Sequence, residues 1–72
     1  GEPTSYERLT LARDHLQMLL AEKGEHGLMI ARKHLSWTCI GFPGAPQLRH
    51  ALMRAATAEA TQSLLEEAQK QL

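Results

Sequence analysis

A single cysteine, Cys39, leaves no partner for a disulfide within the chain, so this is not a stapled secreted mini-protein. A reducing, cytoplasmic setting is the simpler expectation. No apolar run approaches the roughly 18 residues that would span a bilayer, and no secretory leader is visible, so no membrane partner is expected. Aromatic residues are nearly absent: Tyr6, Trp37 and Phe42 are the whole set. No segment alternates apolar and polar residues as a half-buried strand does, which points to an all-helical chain. Net charge is also missing, with 8 basic and 8 acidic residues. A uniformly basic nucleic-acid binder is thereby excluded.

The one informative absence is local. Residues 26 to 58 contain no Asp or Glu, yet they carry Arg32, Lys33, Arg49 and Arg54, together with His26, His34 and His50. The flanks 1–25 and 59–72 each carry a net charge of −2, which hides a +4 middle. Cations without neighbouring carboxylates are what a phosphate-binding face requires, because nearby acids would cancel the field.

What remains reads as helix. Thr4-Ser5-Tyr6-Glu7 has the form of a capping box. Leu9, Ala12, Leu16, Leu19 and Leu20 follow at helical spacing up to Gly24, which can take a left-handed cap. The stretch 23–27 reads as a tight connection. A second helix is expected from about Gly27 to Thr38, with Leu28, Ala31, Leu35 and Cys39 on one side, and Ile30 and Trp37 on the other. Gly41 to Pro46 holds two glycines and two prolines and cannot be helical before Pro46, which fits the first helical position of a third helix. That helix would turn Leu48, Ala51, Leu52 and Ala55 inward. Thr57 suits the cap of a fourth, whose inward face is expected to be Ala60, Leu64, Leu65, Ala68 and Leu72. Short connections make neighbours antiparallel, so the expected architecture is a compact up-and-down four-helix bundle, one domain over 1–72.

Three groups of residues carry possible chemistry. Lys33 and Trp37 are four apart, a spacing that lets a cation and an indole share a face and grip phosphate and base. Trp37 is equally a packing or docking residue on this spacing. Arg49, just beyond the Pro46 turn at a helix end that welcomes an anion, and His50 and Arg54, four apart on the same helix, form a second basic group, or else a solubilising surface. The Gly41–Pro46 turn offers a backbone platform or a rigid corner. The four histidines show no metal-ligand spacing. Cys39 falls on the apolar side with no base placed beside it, so no metal centre and no catalytic residue are expected.

The run Ile30-Ala31-Arg32-Lys33-His34-Leu35-Ser36-Trp37, then Gly41-Phe42-Pro43-Gly44-Ala45 and Leu48-Arg49, is more specific than periodicity. It resembles the C-terminal helical domain of bacterial tRNA-dihydrouridine synthases. That resemblance implies a parent enzyme whose flavin-containing (β/α)8 barrel reduces uridine to dihydrouridine in tRNA, using FMN and NAD(P)H, with its catalytic cysteine in the barrel. The bundle would be a non-catalytic, tRNA-binding fragment packed beside that barrel, and a chain beginning with Gly1 rather than Met fits a fragment. Its partners would be tRNA and the barrel domain. By the same likeness Arg32, Lys33, His34 and Arg49 correspond to basic motif positions and Trp37 to the motif aromatic. With His50 and Arg54 of the second basic group they are the candidate RNA-binding positions, while Trp37 and Phe42 are candidate docking or stacking rings. Thr38 departs from the family pattern, which often places Tyr after the Trp.

Overall fold

The computed structural model describes residues 2–72 and contains four helices: α1 (Ser5–Lys23), α2 (Glu25–Thr38), α3 (Ala45–Arg54) and α4 (Ala58–Lys70). Among the described residues there is no strand. The helix starts are set by local chemistry. The Thr4 hydroxyl accepts from the Glu7 amide at 3.0 Å, and the Glu7 carboxylate accepts from the Thr4 amide at 3.1 Å, closing the capping box. These bonds hold the Glu7 carboxyl below the ordinary carboxylate range. Thr57 caps α4 by accepting from the Ala60 amide at 3.1 Å.

Gly24 alone turns the chain from α1 into α2. Its φ of 59° lies in the left-handed region that glycine adopts without penalty, and its amide donates to Leu20 O. The second helix therefore begins at Glu25, two residues earlier than the sequence pattern predicts, and includes His26 and Gly27. Gly27 has a separate role. A Cβ there would lie 2.3 Å from the Leu19 carbonyl oxygen, so α1 and α2 meet backbone to backbone at this point. At the next connection, Gly44 (φ 85°) precedes α3, which begins at Ala45. Ala45 is therefore helical, against the expectation for the stretch before Pro46, and Pro46 takes the second position, where its missing amide is still one that the helix leaves unpaired.

Each helix packs on the next, and α4 returns to α1, closing the bundle; α1 and α2 form the most extensive pair. Leu9 and Leu16 of α1, Leu35 of α2, Leu52 of α3 and Leu65 of α4 are fully enclosed at its centre. The radius of gyration is 11.3 Å, near the roughly 11 Å expected of one folded domain this long.

The core face of α4 differs from the apolar pattern. Thr61, Leu65 and Gln69 are buried, whereas Ala60 and Leu72 are exposed and Leu64 and Ala68 are half-buried. The helix is rotated because its two polar residues are satisfied inside. The Thr61 hydroxyl donates to Thr57 O at 2.9 Å. The Gln69 amide donates to Tyr6 O at 3.0 Å and to the Thr10 hydroxyl at 2.7 Å, while its oxygen accepts from Arg13 at 2.8 Å. A buried polar group with partners loses the desolvation penalty that would otherwise expel it.

Candidate nucleic-acid interface

The last carbonyls of a helix lack intrahelical partners and carry negative partial charge. Helix α2 has no basic residue in its own last turn, and other helices supply the cations. Arg49 of α3 donates to Cys39 O at 2.6 Å, and Arg8 of α1 donates to Ile40 O at 2.8 Å. In return, Arg32 of α2 donates to Ala55 O just past the end of α3. Arg32 and Arg49 thus clasp the α2/α3 seam from its opposite ends, and both are half-buried.

Lys33 lies on the same seam, where Met29, Arg32, Lys33, Ser36 and Met53 line a shallow groove of about 240 Å³. Lys33 is exposed, and its ammonium makes neither a hydrogen bond nor an ion pair among the described residues. The ion pairs among the described residues are Arg13–Glu66 at 3.0 Å and Lys70–Glu67 at 3.2 Å. Neither involves a cation of the 26–58 segment. The seam arginines meet carbonyls, which orient a guanidinium without cancelling its charge.

The remaining candidates fall elsewhere. His50 and Arg54 are exposed and line the α3/α4 groove, which also contains Glu67. Phe42 and Ile30 are half-buried and pack against the core, with Phe42 turned to the α3/α4 side. Neither lines the groove that Trp37 borders. Trp37 and Lys33 also part company: the indole lines the α1/α2 groove, not the seam. Its ring neighbour is His34, at 6.1 Å between centroids.

Two residues of this surface escaped the sequence reading. Arg8 follows the core spacing Arg8, Ala12, Leu16, Leu19, so its position on the inner stripe was a usable signal. His15 contacts His34 edge-on at 4.7 Å. Nothing in the local pattern announces a contact made between helices.

Cys39 is fully buried at the end of α2. Burial raises its thiol pKa to about 11, against the opposing pull of Arg49 and Arg8, so at neutral pH it is a protonated packing group. No cluster of His, Cys, Asp or Glu suited to a metal ion occurs among the described residues. Among the described residues no helix is long and apolar enough to cross a membrane.

Comparison with known proteins decides the lineage. The family described as Dihydrouridine synthase (Dus) matches residues 2–72. The chain belongs to the dihydrouridine synthase family. Among its relatives, a probable tRNA-dihydrouridine synthase 1 from Synechocystis sp. is 48% identical over 66 residues, covering 92% of this chain and 19% of the relative. A probable tRNA-dihydrouridine synthase from Mycobacterium leprae is 38% identical over 64 residues, covering 88% of this chain and 17% of the relative. The chain therefore spans less than a fifth of the length of either relative. No solved structure matched it.

Proposed function

We propose that this chain is the tRNA-positioning portion of a tRNA-dihydrouridine synthase, holding substrate phosphates while the remainder of the enzyme reduces uridine. The observation that carries the reading is the α2/α3 seam, where Arg32, Lys33 and Arg49 make no ion pair among the described residues, although Glu25 and Glu59 line the groove on the outer side of Arg32. The two arginines are pre-oriented by carbonyls, and Lys33 is left to move toward an anion. Arg54 and His50 extend the positive edge along α3, although Glu67 tempers it there.

A flavin and a nicotinamide would supply the reducing equivalents in the parent enzyme. The residues here do not fit either group. The grooves are open troughs between helices, and the one thiol is enclosed and held protonated. No reduction step is assigned to this chain. In the proposed parent, FMN and NAD(P)H belong to a barrel domain, which is this chain's second partner, in the cytoplasm.

A second reading makes the bundle a docking surface for that barrel. The exposed apolar side chains Leu11 and Met18 of α1 favour it. Amide shifts of the 72-residue chain on titration with unmodified tRNA at low salt separate the two. The RNA reading expects changes concentrated at Lys33, Arg32 and Arg49 that fade as salt rises. It also expects the charge reversal Lys33→Glu to abolish them with helicity unchanged. Absence of any shift at low salt overturns it.

A further inference from the structure

We propose that the groove between α1 and α2 receives an unpaired nucleobase, with the Trp37 indole as its stacking platform. The proposal rests on the phosphate-binding reading above and adds a second, separate surface to it.

Trp37 is 72% exposed in a chain with a single tryptophan, while the buried hydrophobic positions are all Leu, Ala or Cys. It borders a groove of about 480 Å³ whose floor is apolar, formed by Ala12, Leu16, Ala31 and Leu35. The His34 ring stands at 82° to the indole, an edge-to-face contact that places no ring parallel on it. His15 then meets His34 at 70°, so three rings are strung across the two helices. Arg8, which also donates to the Ile40 carbonyl and the Ser5 hydroxyl, lines the groove as well.

The chemistry of this lining selects the occupant. No carboxylate lines the groove, while a guanidinium and two imidazoles do. A flat ring attached to an anionic backbone matches an apolar floor, an open indole and a cationic rim. An acidic or neutral peptide would satisfy the rim or the floor, but has no need of the flat indole. Paired bases cannot enter, because their faces are stacked; an unpaired base of a loop or a disrupted helix can.

The test uses the intrinsic emission of Trp37, which reports on this groove and nothing else. The 72-residue chain is titrated with a short unstructured RNA, with an RNA duplex of matched phosphate number, and with inorganic polyphosphate. The single strand should quench Trp37; polyphosphate should bind without quenching. Trp37→Ala should weaken the single strand by roughly 5-fold or more, the scale of one base–aromatic stack. It should change duplex and polyphosphate affinity less than about 2-fold, with Trp37→Phe restoring part of the loss. Equal quenching by polyphosphate, or an equal loss for all three ligands in Trp37→Ala, overturns the groove. If Lys33→Glu weakens every ligand while Trp37→Ala weakens none, the phosphate seam stands and the base site falls. Emission indifferent to RNA but blue-shifted by the remaining domains of the Synechocystis relative would also overturn it, assigning the groove to a protein contact. No binding of any polyanion at low salt removes both readings together.

Discussion

The α1/α4 seam and the α2/α3 seam are both joined by arginine, yet they treat its charge in opposite ways. Between α1 and α4, Arg13 reaches Glu66 and Gln69, and its charge is answered by a carboxylate. Between α2 and α3, Arg32 and Arg49 reach carbonyl oxygens and keep their full charge. The difference follows from the withholding of every Asp and Glu from residues 26–58. A side chain that must bridge two helices and still attract an anion can be held by a carbonyl but not by a carboxylate. The α1/α4 seam thereby pairs its arginine with a carboxylate, whereas the α2/α3 seam leaves its cations without an ion pair among the described residues, with Glu25 and Glu59 in the groove beside Arg32.

The harshest way to break this comparison is to separate the helices that frame it. Gly27→Ala drives a Cβ into the Leu19 carbonyl, where backbone cannot yield. A loss of about 3 kcal/mol is expected, a melting-temperature fall of roughly 15 °C by thermal denaturation. Next come the seam arginines. Arg49→Met and Arg32→Met each strand a carbonyl and should lower stability by about 2 kcal/mol in urea denaturation, since bonds to charged groups run about 1.5–3 kcal/mol. Lys33→Met, on the same seam, should stay within about 0.5 kcal/mol. If Lys33 proved as costly as Arg49, the division between anchoring and ligand-facing cations would be wrong.

A smaller effect concerns Cys39, which lies beneath Arg49. Its folded pKa of about 11 exceeds the ordinary 9.0, so folding favours the protonated thiol. That contribution is complete below pH 9.0 and is lost as pH rises toward about 11. The urea midpoint of the wild type should fall across this window more than that of Cys39→Ala. The smallest expected effect is on the other seam: Glu66→Gln removes a partly exposed ion pair and should cost at most about 0.5 kcal/mol, while leaving polyanion affinity unchanged or slightly raised.

The parts of this molecule that were legible in sequence are those set by neighbours along the chain. The Thr4 box, the stop of α1 at Gly24 and the Thr57 cap each depend on residues within one helical turn, and each forms as its spacing predicts, whereas α2 starts inside the expected 23–27 connection and α3 starts one residue before Pro46. The face of α4 was misjudged because apolarity ranks Ala60 above Thr61 and Ala68 above Gln69. Only the distant Tyr6, Thr10 and Arg13 make Gln69 welcome inside. The candidate site divides in the same way. The missing carboxylates of 26–58 show in the letters alone. That Arg32 grips Ala55 O and Arg49 grips Cys39 O does not, because those bonds form across helices. Spacing likewise placed Lys33 beside Trp37, whereas the packing of α2 between α1 and α3 sends the two into different grooves.

The most direct test of the cationic seam is the salt dependence of tRNA affinity for the wild type and for Lys33→Ala. Removing one phosphate contact should reduce the slope of log affinity against log salt by about 0.7–0.9, with thermal stability unchanged. An unaltered slope and affinity in Lys33→Ala would contradict the account, because the seam cation that has no partner among the described residues would then hold no phosphate.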